Sequence, residues 1–446
     1  MSERVGHLMC QFNGAGPFSN IPTTKSLRTF MALQNQTTCD NNDWNFRSLR
    51  AFYSIAICLN AASMSSLVSN LKHVRYLNLS YTNIEVLPDS IYLLHHLLTL
   101  DLSHCYKLRK LPKHMIRLKG LRHLYIQGCS RLSHLPPNIG KLSCLKTLTN
   151  YIVDKRKGCQ LDELKDLNIG GDLEIRNLEN VKSPIEARFA NLSAKRNLKG
   201  LNLCWNKYEF ERNVEGILEA LAPPTSLKWL KIHKFSKHEF GNEMFPCLSS
   251  LNVEKCPKLT LPKAGSVKSL KVVDVTQELL NSISNLHGLT DLGIADNNDM
   301  TLMLHNLTSL QHLQMYGFRK IQKMPTDFFI GLNALASLSI ALQHLSSLEY
   351  LGISYFSELA SLPDWLGNLT TLKELEIDAC PDLECIPMSM QRLTNLKKLS
   401  IVKCPKLEQK YEKEVGEDWH KISHIPHVDI RSDWYDVKTV LIKALR

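Results

Sequence analysis

Three consecutive stretches of the chain superpose on one frame: "LKHVRYLNLSYTNIEVLPDSIYL" (71–93), "LHHLLTLDLSHCYKLRKLPKHMIR" (94–117) and "LKGLRHLYIQGCSRLSHLPPNIGK" (118–141). The frame L-x-x-[LV]-x-x-L-x-[LI]-x-x-[CT]-x-x-[LI]-x-x-[LM]-P recurs after 23 or 24 residues, and it returns at 369–392 and 393–409. No other feature limits the fold as strongly. One unit of this length cannot bury its own leucines, so successive units must stack and share a core. Within each unit the L-x-L segment reads as a short strand. Its two leucines point into the core and the residues between them point out on the opposite face. Leu87-Pro88, Leu111-Pro112, Leu135-Pro136 and Leu362-Pro363 end the return segment with a fixed bend.

This is the leucine-rich-repeat frame. It predicts an α/β repeat: a right-handed solenoid, or horseshoe, with parallel β-strands on the concave face and irregular or short helical returns. The expected organisation is irregular N-terminal repeats or a cap over 1–70, regular repeats over 71–154, an interruption over 155–226, further repeats over 227–409, and a cap and tail over 410–446. In the interruption, "SPIE" (183–186) has the form of a capping box with proline at the first helical position, which predicts a helix from Pro184 to Lys195. A second helix is read in "NVEGILEALAPP". Further strands centre on Leu251, Leu270, Leu292, Leu313 and Leu338. Leu338 and Leu351 are only 13 residues apart, half a repeat, which points to a lost segment of about eleven residues.

The formal charge of +11 lies in one place: residues 101–160 hold thirteen Lys or Arg against two Asp. Register puts Lys107, Arg109, Lys110, Lys113, Arg117 and Lys119 on the return path and flank, away from the strand positions. A cationic flank suits docking to an acidic protein surface and argues against a groove that reads nucleic acid. The concave positions are the candidates for partner contact: Tyr76, Asn78 and Ser80; His123, Tyr125 and Gln127; Trp229, Lys231 and His233; His312, Gln314 and Tyr316; Glu374, Glu376 and Asp378.

Chemistry finds little support. Cys105, Cys129, Cys256, Cys380 and Cys404 share one register without any C-x-x-C partner. They read as small buried side chains with weak S–H donors, so no metal is expected. The histidines share no i, i+4 spacing, and no nucleophile elbow, zincin helix or kinase signature occurs, so an enzyme is not expected. The first residues lack the apolar core of a secretory signal and no run reaches a membrane span, which places the chain in a reducing compartment, the cytoplasm, with its thirteen cysteines as thiols.

Three segments resemble one family closely: "VRYLNLSYTNIEVLPDSI", "DELKDLNIGGDLEIRNLENV" with "EARFANLSAKRNLKGLNLCW", and "CPKLEQKYEKEVGEDWHKISHIPHVDI". They resemble the leucine-rich-repeat region of plant intracellular nucleotide-binding disease-resistance proteins of the coiled-coil class, over about residues 20–430. The resemblance implies binding of a pathogen effector or a guarded host protein, and docking to a nucleotide-binding switch domain. That domain's G-x-x-x-x-G-K-[ST] phosphate loop is missing from this sequence, so ATP or ADP binding is not carried over. The competing reading is a free-standing intracellular leucine-rich-repeat signalling adaptor. A ubiquitin-ligase substrate receptor would need a helical N-terminal segment that residues 1–60 do not suggest.

Overall fold

The structure, a computed structural model, describes residues 6–12, 26–34, 46, 48–55, 61–206, 216–235, 246–257, 259–261, 265–274, 276–295, 307–318, 320–324 and 347–432. The chain divides into two units, Met1–Leu230 and Lys231–Arg446.

In the first unit, strands His7–Phe12, Thr29–Gln34, Ala51–Ile55, Tyr76–Asn78, Thr99–Asp101, His123–Tyr125 and Thr147–Leu148 pair in parallel in chain order. Parallel pairing follows from the return segment in each repeat, which brings the chain back to the same edge before the next strand begins. Leu77, Leu100, Leu124 and Leu148 stand opposite one another from strand to strand, and all four are buried. The second and third strands bring aromatic rings to the core: Phe30 lies 5.1 Å from Phe46 and 5.6 Å from Phe52. The ladder breaks at Thr149, whose Oγ1 accepts from the Ile126 N–H at 2.8 Å in place of a backbone carbonyl. Strands Asn150–Ile152, Gly171–Arg176 and Leu198–Cys204 then form a new parallel group.

The second unit carries strands Ser250–Glu254, Ser269–Val273, Asp291–Ala295, His312–Tyr316, Tyr350–Ser354, Glu374–Asp378, Lys398–Val402 and His427–Arg431, again parallel and in order. Leu251, Leu270, Leu292, Leu313, Leu351, Leu375 and Leu399 form its buried row. His312–Tyr316 pairs directly with Tyr350–Ser354, which sets Leu313 opposite Leu351. Leu338 itself lies outside the described residues.

Both units close their strands in the same way. A residue just beyond the strand turns left-handed, the third after it in the first unit, Tyr81 (φ 58°), His104 (59°) and Gly128 (73°), and the first after it in the second, Lys255 (54°), Tyr355 (59°), Ala379 (50°) and Lys403 (54°). Its N–H donates to a carbonyl of the following repeat, as in Tyr81 to Ser103 at 2.9 Å, His104 to Gln127 at 2.7 Å and Ala379 to Val402 at 2.9 Å. The next residue is buried, and this is the place of the shared cysteines. Cys105 Sγ donates to the Leu79 carbonyl and Cys129 Sγ to that of Leu102, both at 3.1 Å. Cys256, Cys380 and Cys404 repeat the contact at 3.7, 3.9 and 3.9 Å. Thr82 fills the same place in the earlier repeat, its hydroxyl donating to Leu79 O at 2.7 Å.

The Leu-Pro pairs lead into short 3-10 turns. Pro88, with φ −66°, precedes Asp89–Leu93, and Pro112, with φ −68°, precedes Lys113–Arg117. Pro363 and Pro387 do the same before Asp364–Asn368 and Met388–Arg392. At the interruption Ser183 caps the helix: Glu186 N–H donates to Ser183 Oγ at 3.3 Å, while the Glu186 carboxylate reaches one residue past the cap and accepts from Lys182 N–H at 2.8 Å. The helix is shorter than expected, however. It spans Pro184–Arg188, and Asn191 turns left-handed (φ 49°) before a 3-10 turn over Leu192–Ala194. Lys195 ends this segment buried, its Nζ donating to the Leu164 and Leu167 carbonyls at 2.7 Å each. The second helix spans Ile217–Leu221.

Candidate protein-interaction surface

Parallel pairing without slippage places outward side chains in rows that run across the strands. In the first unit one row passes through Tyr53, Asn78, Asp101 and Tyr125 and a neighbouring row through Ala51, Tyr76, Thr99, His123 and Thr147. Tyr53 and Tyr76 stack with centroids 4.6 Å apart, and His123 Nδ1 lies 3.0 Å from Thr147 Oγ1. Burial is the main cause that lowers the His123 pKa, so its neutral form is favoured. Gln127 is exposed beyond the strand end.

Two expected contact positions here are not free. Asn78 is buried: its Nδ2 donates to Asp101 Oδ2 at 3.1 Å and its Oδ1 accepts from Ser80 N at 2.9 Å and Ser80 Oγ at 2.8 Å. Ser80 is buried by the same contacts. Short polar side chains at the strand end bind local backbone donors, so alternation alone does not make them available.

Trp229 lies flat on Gly200, where an added Cβ would fall 1.8 Å from its ring, and its Nε1 donates to Asp172 at 3.0 Å. Only glycine permits that approach. In the second unit Lys231 pairs with Glu254 at 2.8 Å, and burial chiefly lowers the His233 pKa. His312 Nδ1 sits 2.9 Å from Asp291, Gln314 is exposed, and Lys271 Nζ stands 4.9 Å above the Tyr316 ring. Glu374 meets Lys398 at 3.5 Å, and Glu376 accepts from the Tyr350 hydroxyl at 2.7 Å. Asp378, expected at an exposed position, is only 5% exposed. Tyr53, Asp172, Asp291 and Tyr350 also belong to this face, beyond the positions expected from the sequence. Each sits at an outward place of an L-x-L segment or its equivalent, and that periodicity was the available signal.

The six flank cations are all exposed. Arg109 pairs with Glu85 at 3.3 Å, Arg117 lies 5.1 Å over the Tyr92 ring, and Lys119 donates to the Lys141 carbonyl at 2.9 Å. Lys107, Lys110 and Lys113 make no ion pair among the described residues. Beside them stand Tyr106 and Tyr81, about half exposed, with His104 stacked on Tyr81 at 4.6 Å. Among the described residues no group of three or more His, Cys, Asp or Glu is placed to hold a metal ion, and no helix is long and apolar enough to cross a membrane.

A family model described as a leucine-rich repeat region matches residues 26–257, about half of the chain. Among curated proteins, RGA1 of Solanum bulbocastanum, named as a disease resistance protein, is 33% identical over 397 residues that cover 64% of this chain and 40% of the relative. RGA2 of the same species, also named as a disease resistance protein, is 37% identical over 143 residues, covering 31% of this chain and 15% of the relative. The chain therefore spans well under half the length of the curated relatives it matches. Among solved structures, a leucine-rich-repeat protein of Leptospira interrogans aligns with a TM-score of 0.41 at 21% identity, covering 86% of this chain and 96% of that one.

Proposed function

Given that the chain belongs to the leucine-rich-repeat family and has plant disease resistance proteins among its relatives, we propose that it is the protein-binding repeat region of a plant intracellular immune receptor. The observation that carries this reading is the register. Parallel pairing in register within each run of strands gathers aromatic, basic and acidic side chains into rows, and such rows serve to hold a protein partner. The strand face would contact a pathogen effector or a host protein the effector alters. The flank of Lys107, Arg109, Lys110, Lys113, Arg117 and Lys119 would dock an acidic face of a nucleotide-binding switch domain, which would supply any ATP or ADP chemistry. No catalytic step is assigned to this chain, and its proposed site of action is the cytoplasm.

Among the described residues three of those cations have no ion pair, which favours a docking role over a scaffold role. The test is capture in trans of a nucleotide-binding domain from a related resistance protein by the full chain. Binding should hold at low salt, fall as salt rises, and fall further when Lys107, Lys110 and Lys113 are changed to Glu. Absence of capture at low salt would remove the docking half of the proposal.

A further inference from the structure

Two adjoining turns of the first unit carry rings where the fold asks for none. Tyr81 and His104 each stand just before the buried residue of their repeat, Thr82 and Cys105, and each holds a left-handed backbone, with φ of 58° and 59°. That conformation is unfavourable for a bulky side chain and free for the glycine that fills the same turn at Gly128. Ala379 and Lys403 also fill it, and Tyr355 has Gly317 and Ala379 on the adjoining turns. Tyr81 stacks on His104 with centroids 4.6 Å apart and planes 17° apart. His104 in turn lies over Gly128, where a Cβ would fall 2.5 Å from its Nδ1, and the same Nδ1 is 3.2 Å from the Tyr106 hydroxyl. Despite these contacts Tyr81 and Tyr106 remain 52% and 53% exposed.

Cations stand beside the rings. Lys107 follows Tyr106, and Arg131 takes the same place in the next repeat, two residues after its cysteine. Both are exposed, and neither has an ion pair among the described residues. The acids that could neutralise this edge are engaged: Glu85 with Arg109 at 3.3 Å, Asp154 with Arg156 at 2.8 Å, and Asp101 with the Asn78 amide and the Ser103 N–H. Val86, bridged to Lys110, adds an exposed apolar side chain. Strained residues cluster at binding sites, because folding alone selects against them.

We propose that Tyr81, His104 and Tyr106, with Lys107 and Arg131 beside them, are the anchor of the docking flank and take a protein segment in which an aromatic or aliphatic side chain stands between acidic residues. The inference deepens the docking reading and rests on that flank being a docking surface. Charge complementarity fixes the occupant: cations without ion pairs around exposed rings match carboxylates around an apolar side chain. The platform is set before a partner arrives. Stacking on His104 restricts Tyr81, and the contact with His104 Nδ1 restricts Tyr106, so little side-chain entropy remains to be lost on binding. The rings supply the apolar contact and the cations the salt-dependent one; the charges alone would attract any polyanion.

The probe is the peptide acetyl-Asp-Glu-Asp-Phe-Glu-Asp-Glu-amide with a fluorescent label, titrated with the full chain at low salt and followed by anisotropy. Beside it run the peptide with alanine in place of phenylalanine and an oligothymidylate of equal charge. The phenylalanine peptide should bind saturably, about tenfold more tightly than the alanine peptide and more tightly than the oligothymidylate. Tyr106→Ala should remove the difference between the peptides and leave the alanine peptide as it was, whereas Lys107→Ser with Arg131→Ser should weaken both about tenfold. Tyr81→Gly should act as Tyr106→Ala does, and it guards against misfolding because it puts at the turn the residue found at Gly128. No binding of the phenylalanine peptide, equal binding of the two peptides, an unchanged difference in Tyr81→Gly and Tyr106→Ala, or tighter binding of the oligothymidylate would overturn the proposal. No switch domain enters this titration, so its failure leaves the capture experiment standing, and failure of capture with the peptide bound would remove only that partner.

Discussion

The repeats of 71–141 and those of 350–431 share a frame and spend their polar residues differently. Both have the buried leucine row, the Leu-Pro or Ile-Pro bend with its 3-10 turn, and the cysteine donating to a neighbouring carbonyl. In the earlier set the outward polar residues near the strand end satisfy one another: Asn78 binds Asp101 and Ser80, and Asp101 accepts from Ser103 N–H at 2.9 Å. In the later set Asp378 Oδ1 has no hydrogen-bond partner among the described residues. A common scaffold can therefore carry polar groups that complete the scaffold and polar groups left over for something else. Hydrogen-bond satisfaction separates the two where residue type does not.

The largest effect should be the same in both regions. Leu100→Ala and Leu375→Ala each empty a fully buried site and should each cost about 2–5 kcal/mol in chemical denaturation. A large loss in one set and a small one in the other would break the claim of a shared core.

The next pair should differ in sign. Asp101→Ala leaves Asn78 Nδ2 and the Ser103 N–H without their acceptor and should cost about 1–3 kcal/mol. Asp378→Ser removes a buried acid whose Oδ1 has no hydrogen-bond partner among the described residues and should be neutral or stabilising by urea melt. The pH dependence follows from linkage. The Asp378 pKa is raised in the folded state, so the folded chain holds more protons than the unfolded one just above the ordinary Asp range. Stability contributed at this site is greatest below that range and is lost as pH rises through the folded pKa, and Asp378→Ser should flatten that part of the profile.

A smaller contrast concerns the left-handed turns. Ala379, at φ 50°, makes no ring contact, and Ala379→Gly should stabilise by about 0.5–1 kcal/mol. At His104 the ring stacks on Tyr81, and its Nδ1 would lie 2.5 Å from a Cβ added at Gly128. His104→Gly therefore gives up contacts that offset the strain and should gain less or lose stability. Smallest of all, Cys129→Ser should cost about 1 kcal/mol or less in either unit's register, because Thr82 already places a hydroxyl there. Thermal melts of the paired variants read both contrasts.

Much of the architecture was legible because leucine, proline and cysteine recur at fixed offsets and each marks one physical job. Ser183 and Glu186 were equally legible as a cap. The strands before residue 70 lacked that signature, since Phe30 and Phe52 do the work leucine does later. The left-handed turns were hidden because Tyr81, His104, Tyr355, Ala379 and Lys403 carry no glycine mark, and the helix after Pro184 stopped early at a left-handed Asn191 that pattern alone did not disclose. At the candidate surface, alternation found the rows. It could not tell Asn78 and Asp378 from exposed neighbours, because burial there depends on the size of residues one strand away.

The turn donor that reaches forward to the next repeat has a consequence for how such a chain changes length. A repeat is finished by the carbonyl of its successor, so whole repeats can be gained or lost while every turn still finds an acceptor at the same register. The side of the strands tolerates length only in whole units, while the return side is elastic. The step from Leu313 to Leu351 shows this elasticity: despite the long intervening segment, Gly317 N–H still meets Ser354 O at 3.0 Å and the strands pair without a slip. Variation in such a chain is channelled into the returns and the outward rows, where it leaves the ladder untouched.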